Sequence, residues 1–332
     1  MKRMVTRMAA VLALVVMPAT AGHALPTSAG GYQQRPVGAG AIANDVSDRG
    51  IVVGESAGHA FRWSAATGRM TDLGTLGGPG SVAYGINERG RIVGTSDVGG
   101  VRHAFLWTPS TRRMTDLGTL GGAYSTAYAI NHLGFVVGES DTASGASHAF
   151  VWNPRTRRMT DLGTLGGDSS AATAINDRGQ VAGTAATAGS VTHAFRWSPR
   201  SRRMEDLGLR PDSVVAFATG ISARGDVVGW TNNVGDDTDR AFRWDARTRR
   251  MTAIPGVPDV PSRATGVNDR GQITGHWDGA GAGTTPFVWT PGQRTPRALP
   301  RSADGVATTA AINNPGWVVG QDNGAVLWTP RR

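Results

Sequence analysis

A sequence unit of about 45 residues recurs seven times in this chain of 332 residues, and this repeat limits the possible folds more than any other feature. The clearest copies run from His103 to Gly122 and from His148 to Gly167. Tryptophans 39 to 47 residues apart mark the register of the copies: Trp63, Trp107, Trp152, Trp197, Trp244, Trp289 and Trp328. Self-similarity at a fixed period favours one repeat array over two unrelated domains.

Each unit has the pattern of four short strands, A to D. In the second unit, strand A ends at Ile86, a tight turn covers residues 87–90, and strand B covers 91–96. After a loop of variable length come strand C at 103–107 and strand D at 114–117. β-Branched and aromatic residues fill the strands, while Asn and Gly suit the turns. We therefore predict an all-β fold, a seven-bladed β-propeller of four-stranded antiparallel blades.

Strand A alternates small and branched residues, as the innermost strand of a propeller must. Its small positions include Ala83, Gly85, Ala127 and Ala129, and Ile86 and Ile130 stand at the branched positions. The blades converge at the axis, so one side of strand A has room only for small side chains.

The first strand of the chain is predicted to complete the last blade. The seventh unit supplies strands A, B and C up to Trp328, and residues 32–37 precede the first strand A where a strand D would belong. We expect residues 32–37 to pair with 326–328 and close the ring, which would leave few open edges.

The first 24 residues are typical of a secretory signal peptide. Lys2, Arg3 and Arg7 precede an apolar run, and small residues around Ala21 and Ala24 offer cleavage sites. Residues 25–332 then form a single propeller domain. No apolar run is long enough to span a bilayer, so we expect a secreted, extracellular protein with no membrane span.

Charge and cysteine content restrict the possible partners. The formal charge of +9 falls to +6 once the three cations of the signal peptide are removed, and there is no cysteine. Disulfides and thiolate metal sites are therefore excluded. Nucleic acid is not an expected partner, since no aromatic and basic groove appears. We expect a monomer that contacts an extracellular or cell-envelope polymer or protein.

These motifs resemble the HAF-repeat family of extracellular repeat proteins. The His-Ala-Phe tripeptide begins at His59, His103, His148 and His193. Met-Thr-Asp-Leu-Gly-Thr-Leu-Gly-Gly follows from Met70, Met114 and Met159, and Ile-Asn-x-x-Gly recurs from Ile86, Ile130 and Ile175. The later units depart from the pattern, with Arg240, Pro286 and Ala325 in place of histidine. The resemblance implies extracellular location and repeat architecture, and it carries no catalytic residues across.

The four histidines and the recurring aspartates of strand D occur once per blade. Equivalent positions in neighbouring blades should lie on the order of 10 Å apart, too far for shared zinc ligands or paired catalytic carboxylates. We expect the histidines to form hydrogen bonds within their blades, and Asp72, Asp116, Asp161 and Asp206 to brace the glycine turns. The tryptophans and phenylalanines of strand C should form the core between blades.

Arginines concentrate in the turns that join A to B and C to D, which should share one face. We single out eight of them as a candidate polyanion-binding set: Arg112, Arg113, Arg157, Arg158, Arg202, Arg203, Arg249 and Arg250. Guanidinium groups make bidentate contacts with phosphate or carboxylate. The alternative is that these are simply soluble turn residues.

The opposite face carries acidic loops. Asp97, Asp141, Asp278 and Asp322 are candidates for binding a partner there. A loop with Asp236, Asp237 and Asp239 has oxygen ligands suited to calcium, although it lacks the spacing of a recognised calcium loop. A solvated polar loop is the alternative.

These observations favour a non-catalytic binding or scaffold module and no cofactor. The competing hypothesis is a polysaccharide-acting hydrolase or lyase with its site at the propeller axis, which requires acidic residues from different blades to converge there. Strand A offers little beyond Asp45. A purely structural spacer in the cell envelope is a third possibility.

Overall fold

The computed structural model describes residues 31–211, 213–233, 238–278, 283–302 and 305–331, and these ranges contain 28 β-strands and no helix. The strands form seven four-stranded sheets, each antiparallel throughout. The predicted all-β, seven-bladed propeller is confirmed. The predicted signal peptide, residues 1–24, lies outside the described residues.

The blades are numbered in chain order, and strand A of each is innermost. Blade 1 contains β2 (Ile42–Val46), β3 (Ile51–Ser56), β4 (His59–Ser64) and β5 (Met70–Asp72). Blade 2 contains β6 (Ser81–Ile86), β7 (Ile92–Val98), β8 (Val101–Thr108) and β9 (Arg113–Asp116). Blade 3 contains β10 (Gly121–Ile130), β11 (Val136–Thr142), β12 (Ser147–Asn153) and β13 (Arg158–Asp161). Blade 4 contains β14 (Gly166–Ile175), β15 (Val181–Thr187), β16 (Thr192–Trp197) and β17 (Met204–Asp206).

The remaining blades follow the same order until the seventh. Blade 5 contains β18 (Ser213–Ile221), β19 (Val227–Asn233), β20 (Asp239–Asp245) and β21 (Arg250–Ala253). Blade 6 contains β22 (Ser262–Val267), β23 (Ile273–Asp278), β24 (Thr284–Trp289) and β25 (Arg297–Ala298). Blade 7 contains β26 (Thr308–Ile312), β27 (Val318–Gln321) and β28 (Ala325–Pro330), and its fourth strand is β1 (Tyr32–Gly38).

The ring closes through β1, as the sequence predicted. β1 runs antiparallel to β28, with Gln34 opposite Trp328 and Pro36 opposite Val326. The Tyr32 hydroxyl donates to the Gly316 carbonyl at 3.1 Å. The seven A strands, β2, β6, β10, β14, β18, β22 and β26, contact one another in a closed cycle.

The hydrophobic core lies between the blades. Seven clusters of buried residues occur, and each combines residues of two adjacent blades. Between blades 1 and 2, for example, Val53 and Ala60 pack against Phe105 and Trp107. The prediction that the aromatic residues of strand C form the core between blades is confirmed.

Close backbone contacts explain two of the recurring small residues. A β-carbon at Gly94 of strand B would lie 1.9 Å from the Val82 carbonyl oxygen, beside a β-bulge in strand A. A β-carbon at Gly85 would lie 2.8 Å from the Tyr128 carbonyl oxygen in the next blade. Glycine is therefore required by steric contact at the first position and favoured at the second.

Buried asparagines link the A–B turns of successive blades. The Asn131 side chain donates to the Asn176 carbonyl at 3.2 Å, and its own oxygen accepts from the Phe135 amide. Asn87, Asn176, Asn268 and Asn313 form equivalent bonds. Serines stand at this position in blades 1 and 5, so the five asparagines form an incomplete belt, here called the amide belt.

Candidate functional site

The antiparallel order of each blade places the A–B and C–D turns on one side of the ring, here called the A–B face. All eight arginines of the predicted polyanion-binding set are exposed there. Among the described residues, Arg249 is the one member of the set that forms an ion pair, with Glu205 of the preceding blade. The other seven guanidinium groups are therefore available to an external anion.

Four of these arginines occupy backbone conformations that side chains disfavour. Arg112, Arg157, Arg202 and Arg249 have φ between 52° and 56°. In each turn the arginine amide donates to the carbonyl four residues earlier, as Arg112 does to Thr108 at 2.8 Å. In blade 1 Gly68, with φ of 68°, makes the same bond. Glycine fits this position without strain, so the fold itself does not require arginine.

Four acids recur near the axis of the A–B face, in turns that also carry arginines, and these four acids are here called the acidic centre. Asp48, Glu88, Asp177 and Asp269 follow the Asn or Ser of their A–B turns. These side chains act between blades: the Asp48 amide donates to Glu88 Oε1 at 2.8 Å, and the Asn314 amide donates to Asp48 Oδ1 at 2.8 Å. In the sequence, the signal for this group was an acid directly after the Asn or Ser of four A–B turns. The A–B turns near the axis thus carry both carboxylates and arginines, whereas the C–D turns, here called the rim, carry the eight arginines of the predicted set.

Asp45 adds a half-buried carboxyl group next to this acidic centre. Its two oxygens accept from the Val46 amide at 2.8 Å and from the Ile86 amide of the next blade at 2.9 Å. Burial of the carboxyl raises the pKa of Asp45 to about 6, and the nearby charges of Glu88 and Asp48 act in the same direction. In six blades Gly or Ala stands at this position.

The four HAF histidines pair with aspartates of their own blades. The Nδ1 atoms of His59, His103, His148 and His193 lie 2.8 to 2.9 Å from the carboxylates of Asp72, Asp116, Asp161 and Asp206. Each aspartate also accepts from the amide two residues later, as Asp116 does from Gly118 at 2.8 Å. Both predictions are confirmed: the histidines bond within the blade, and the aspartates brace the glycine turns.

The four aspartates predicted to bind a partner lie on the opposite side, the B–C face, in blades 2, 3, 6 and 7. Asp97 forms an ion pair with Arg102 at 2.8 Å, and Asp278 is exposed. Asp322 is buried and accepts from the Ser302 amide and hydroxyl and from Gln34. The structure does not bring these aspartates into one cluster, and across the described ranges no group of three acidic or histidine side chains is arranged to hold a metal.

The proposed calcium loop is described only in part. Asp236 and Asp237 lie outside the described residues. Asp239 forms an ion pair with Arg263 of the next blade. The calcium hypothesis therefore stays a prediction.

Two further side-chain groups on strands A and B escaped the sequence reasoning. In blades 2 and 3, the Tyr84 and Tyr128 rings lie 5.5 Å apart, and the Tyr128 hydroxyl donates to Glu139 Oε1 at 2.6 Å. In blade 5, the ring of Phe217 stacks on that of Trp230, with their centres 4.2 Å apart. The signal was the variable residue after the recurring strand B glycine, which is threonine in blades 2 and 4 but Glu139 in blade 3 and Trp230 in blade 5.

The second group continues into blade 6 with a cation and a histidine. The Arg263 guanidinium lies 4.6 Å from the centre of the Trp230 ring. Burial, together with the charge of Arg263, lowers the pKa of His276 to about 4. His276 Nδ1 is the one buried side-chain polar atom without a hydrogen bond among the described residues.

Fold and surface together define a seven-bladed β-propeller with an arginine-rich rim and a centre of mixed charge on one face. Solved structures with the same architecture include an extracellular domain from B. thetaiotaomicron (12% identity, TM-score 0.58, 91% of this chain and 40% of that chain). Others are the oligogalacturonate lyase of Vibrio parahaemolyticus (10%, 0.56, 92% and 98%) and the propeller domain of the Trilobed protease from Pyrococcus furiosus (10%, 0.57, 84% and 90%). At these identities the likeness shows the fold alone.

No known family profile matches the chain, and no characterised protein matches it by sequence. Within the described ranges, no helix is present that could cross a membrane.

Proposed function

We propose that the mature protein is a secreted, non-catalytic binding or scaffold propeller of the HAF-repeat family, which holds an anionic cell-envelope polymer on the arginine rim of its A–B face. Seven exposed guanidinium groups of the rim lack an ion-pair partner within the described ranges, and this observation carries the proposal. Similar turns recur about every 45 residues around a closed ring, so one polymer could contact several blades at once.

The backbone of the rim supports the same proposal. Arginine at positive φ costs roughly 1 kcal/mol relative to a residue suited to that conformation. Four turns retain arginine where Gly68 serves the fold in blade 1. Strain that the fold does not require is consistent with use of the side chain in binding.

The test is co-sedimentation of residues 25–332 with purified cell envelope at low and high salt. We expect binding at low salt and release at high salt, because exposed charge contacts are screened. Replacing Arg112, Arg113, Arg157 and Arg158 by glutamine should reduce binding at least tenfold and flatten its salt dependence. The matched lysine variant keeps the charge and should retain part of the binding, since it loses only the bidentate geometry.

Unchanged binding by the glutamine variant would contradict the role of the rim. A wild-type protein that stays in solution at both salt concentrations would contradict envelope binding altogether. In that case the acidic loops of the B–C face, or a role as a spacer without a saturable ligand, would take precedence.

The alternative, a polysaccharide-acting hydrolase or lyase, gains support from one observation. Asp45 and Asp48 of blade 1 interact electrostatically with Glu88 of blade 2, so carboxyl groups of two blades do converge near the axis. Both oxygens of Asp45 are bonded to backbone amides, however, which favours a structural role for this group. Release of reducing or unsaturated ends from envelope polysaccharide, lost on Glu88→Gln, would favour the enzyme.

A further inference from the structure

A surface cavity of about 340 Å³ opens on the A–B face at the junction of blades 2 and 3. It is lined by Arg89, Arg91, Leu133, Phe135, Pro154 and Arg155. Leu133 is 52% exposed and is one of four large apolar side chains exposed on the described surface. The cavity therefore combines an apolar floor with a cationic border.

The apolar floor comes from a departure from the repeat. The A–B turn of blade 4 has Asp177, Arg178 and Gln180, whereas the corresponding turn of blade 3 has His132, Leu133 and Phe135. Arginine stands at the Leu133 position in five blades, namely as Arg49, Arg89, Arg178, Arg224 and Arg270. Blade 3 thus has neither the acid nor the arginine of this turn. An exposed leucine buries no apolar surface and so does not stabilise a solvated turn.

The border of the cavity carries positive charge without a compensating carboxylate among its lining residues. Within the described ranges, the guanidinium groups of Arg91 and Arg155 have neither an ion pair nor a side-chain hydrogen bond. That of Arg89 lies 3.4 Å from His132 Nε2. Two acids of the acidic centre lie beside the cavity: Asp177 accepts from the His132 amide at 2.8 Å, and Glu88 precedes Arg89 and accepts from the Asp48 amide at 2.8 Å.

Gly134 helps to form the cavity. A β-carbon at this position, where φ is 92°, would lie 2.6 Å from Arg91 Nη1 and 3.6 Å from Pro154. The Arg91 guanidinium of blade 2 can therefore rest directly over the blade 3 turn. This contact brings the cation next to the apolar floor.

The geometry points to a binding site for a small organic carboxylate that carries an apolar group, with the carboxylate on Arg91 and Arg155 and the apolar group on Leu133, Phe135 and Pro154. Arginine forks bind carboxylate in two parallel hydrogen bonds. The volume lies at the lower end of the range for ligand pockets, roughly 300–1,000 Å³, which suits a single ring or a branched side chain. A free small acid and the C-terminal residue of a peptide share this chemistry.

The test is titration of residues 25–332 with 3-phenylpropionate and with N-acetyl-L-phenylalanine, followed by NMR of the backbone amides. We expect saturable shifts at the amides of residues 132–135 and of Arg155, since Pro154 has no amide proton. N-acetyl-L-phenylalanine amide, which lacks the charge, should bind at least tenfold more weakly. Binding of only the N-acetyl compound would assign the site to peptide C-termini, and binding of both would assign it to small carboxylates in general.

The matched variant replaces the blade 3 turn by that of blade 4, Leu133→Arg with Phe135→Gln. The fold should tolerate it, because blade 4 carries these residues in the same turn. We expect at least tenfold weaker binding, whereas Arg178→Ala in blade 4 should leave binding unchanged. Equal affinity for the amide, or no saturation of the wild type by 20 mM ligand, would overturn the site.

This site and the polymer-binding rim can fail separately. The blade 3 variant retains all eight arginines of the rim, so its sedimentation with envelope should remain as in the wild type. Loss of carboxylate binding with retained sedimentation is the expected pattern.

Discussion

The imidazole of His59 lies 2.9 Å from the Asp72 carboxylate, and this pair is more open to solvent than its three counterparts. The His59 side chain is 39% exposed, compared with 18% to 21% for His103, His148 and His193. The hydrogen bond that the imidazole donates to Asp72, together with the negative charge of Asp72, raises the pKa of His59 above the usual 6.5.

We expect Asp72→Asn to lower the pKa of His59, measured by NMR titration of the imidazole. The asparagine oxygen can still accept from the Gly74 amide, so the turn should persist. Because the folded-state pKa is raised, the stabilisation by this pair is fully present below pH 6.5 and is lost as pH rises through the folded-state value. An unchanged His59 pKa in the variant would show that the pair does not form in solution.

Asp45 should make the stability of the fold depend on pH in acid solution. Its pKa rises from 3.8 to about 6 in the folded state, so between these values the folded protein binds more protons than the unfolded chain. The free energy of unfolding should therefore fall with increasing pH in this window, with a contribution of up to about 1.4 kcal/mol per pH unit from this group.

The control for this prediction is Asp45→Ala, since alanine stands at the same position in blade 3 as Ala129. Urea unfolding at pH 4.5, 5.5 and 6.5 measures the slope in both proteins. The variant should show a smaller decrease across the window. Parallel curves would mean that Asp45 ionises normally.

Each asparagine of the amide belt should stabilise the ring through one hydrogen bond to the next blade. Asn131→Ser keeps an oxygen that can accept from the Phe135 amide, as Ser47 does for Ile51, but it removes the donor to the Asn176 carbonyl. We expect the free energy of unfolding to fall by about 1 kcal/mol, because the Asn176 carbonyl loses the hydrogen bond from Asn131 and keeps the one from the Gly179 amide. Denaturant unfolding measures this change; a stability equal to that of the wild type would mean that water replaces the amide.

Arginine-to-glycine substitutions should separate stability from binding on the rim. Replacing Arg112, Arg157, Arg202 and Arg249 by glycine removes the backbone strain at positive φ but raises the conformational entropy of the unfolded chain. These effects oppose each other, so the free energy of unfolding should change by less than about 1 kcal/mol per site. Envelope binding should nevertheless decrease strongly. Thermal unfolding and co-sedimentation of the same variant provide the two readouts, and a fold that collapses would contradict the assigned turn geometry.

The closing strand offers a comparison of two neighbouring residues. Tyr32 is buried and donates to the Gly316 carbonyl, whereas Gln33 next to it is exposed. Tyr32→Ala should lower the free energy of unfolding by about 3 kcal/mol or more, in the range for buried aromatic residues. Gln33→Ala should change it by less than about 0.5 kcal/mol. Equal effects of the two variants would indicate that β1 does not close the ring.

The sequence by itself determined the blade count, the four strands per blade, the closing strand and the roles of the HAF histidines. These features depend on local patterns, such as the strand alternation around Ile86 and the spacing of His103 from Asp116, which repeat with a fixed period. Because these patterns repeat, the strands and pairs of each blade could be inferred without knowledge of contacts between distant parts of the chain. The varying residues after the strand B glycine, Glu139 and Trp230 among them, were visible too, but their partners were not.

Only the tertiary structure decided which residues of different blades meet. Closure of the ring brings Asn314 to Asp48, 266 residues away, and so creates an acidic centre that no single unit contains. The cavity of Arg91 and Leu133 likewise needs two blades, because one supplies the cation and the other the apolar floor. A repeat period fixes the fold of each blade, whereas a surface site depends on side chains that packing brings together from neighbouring blades.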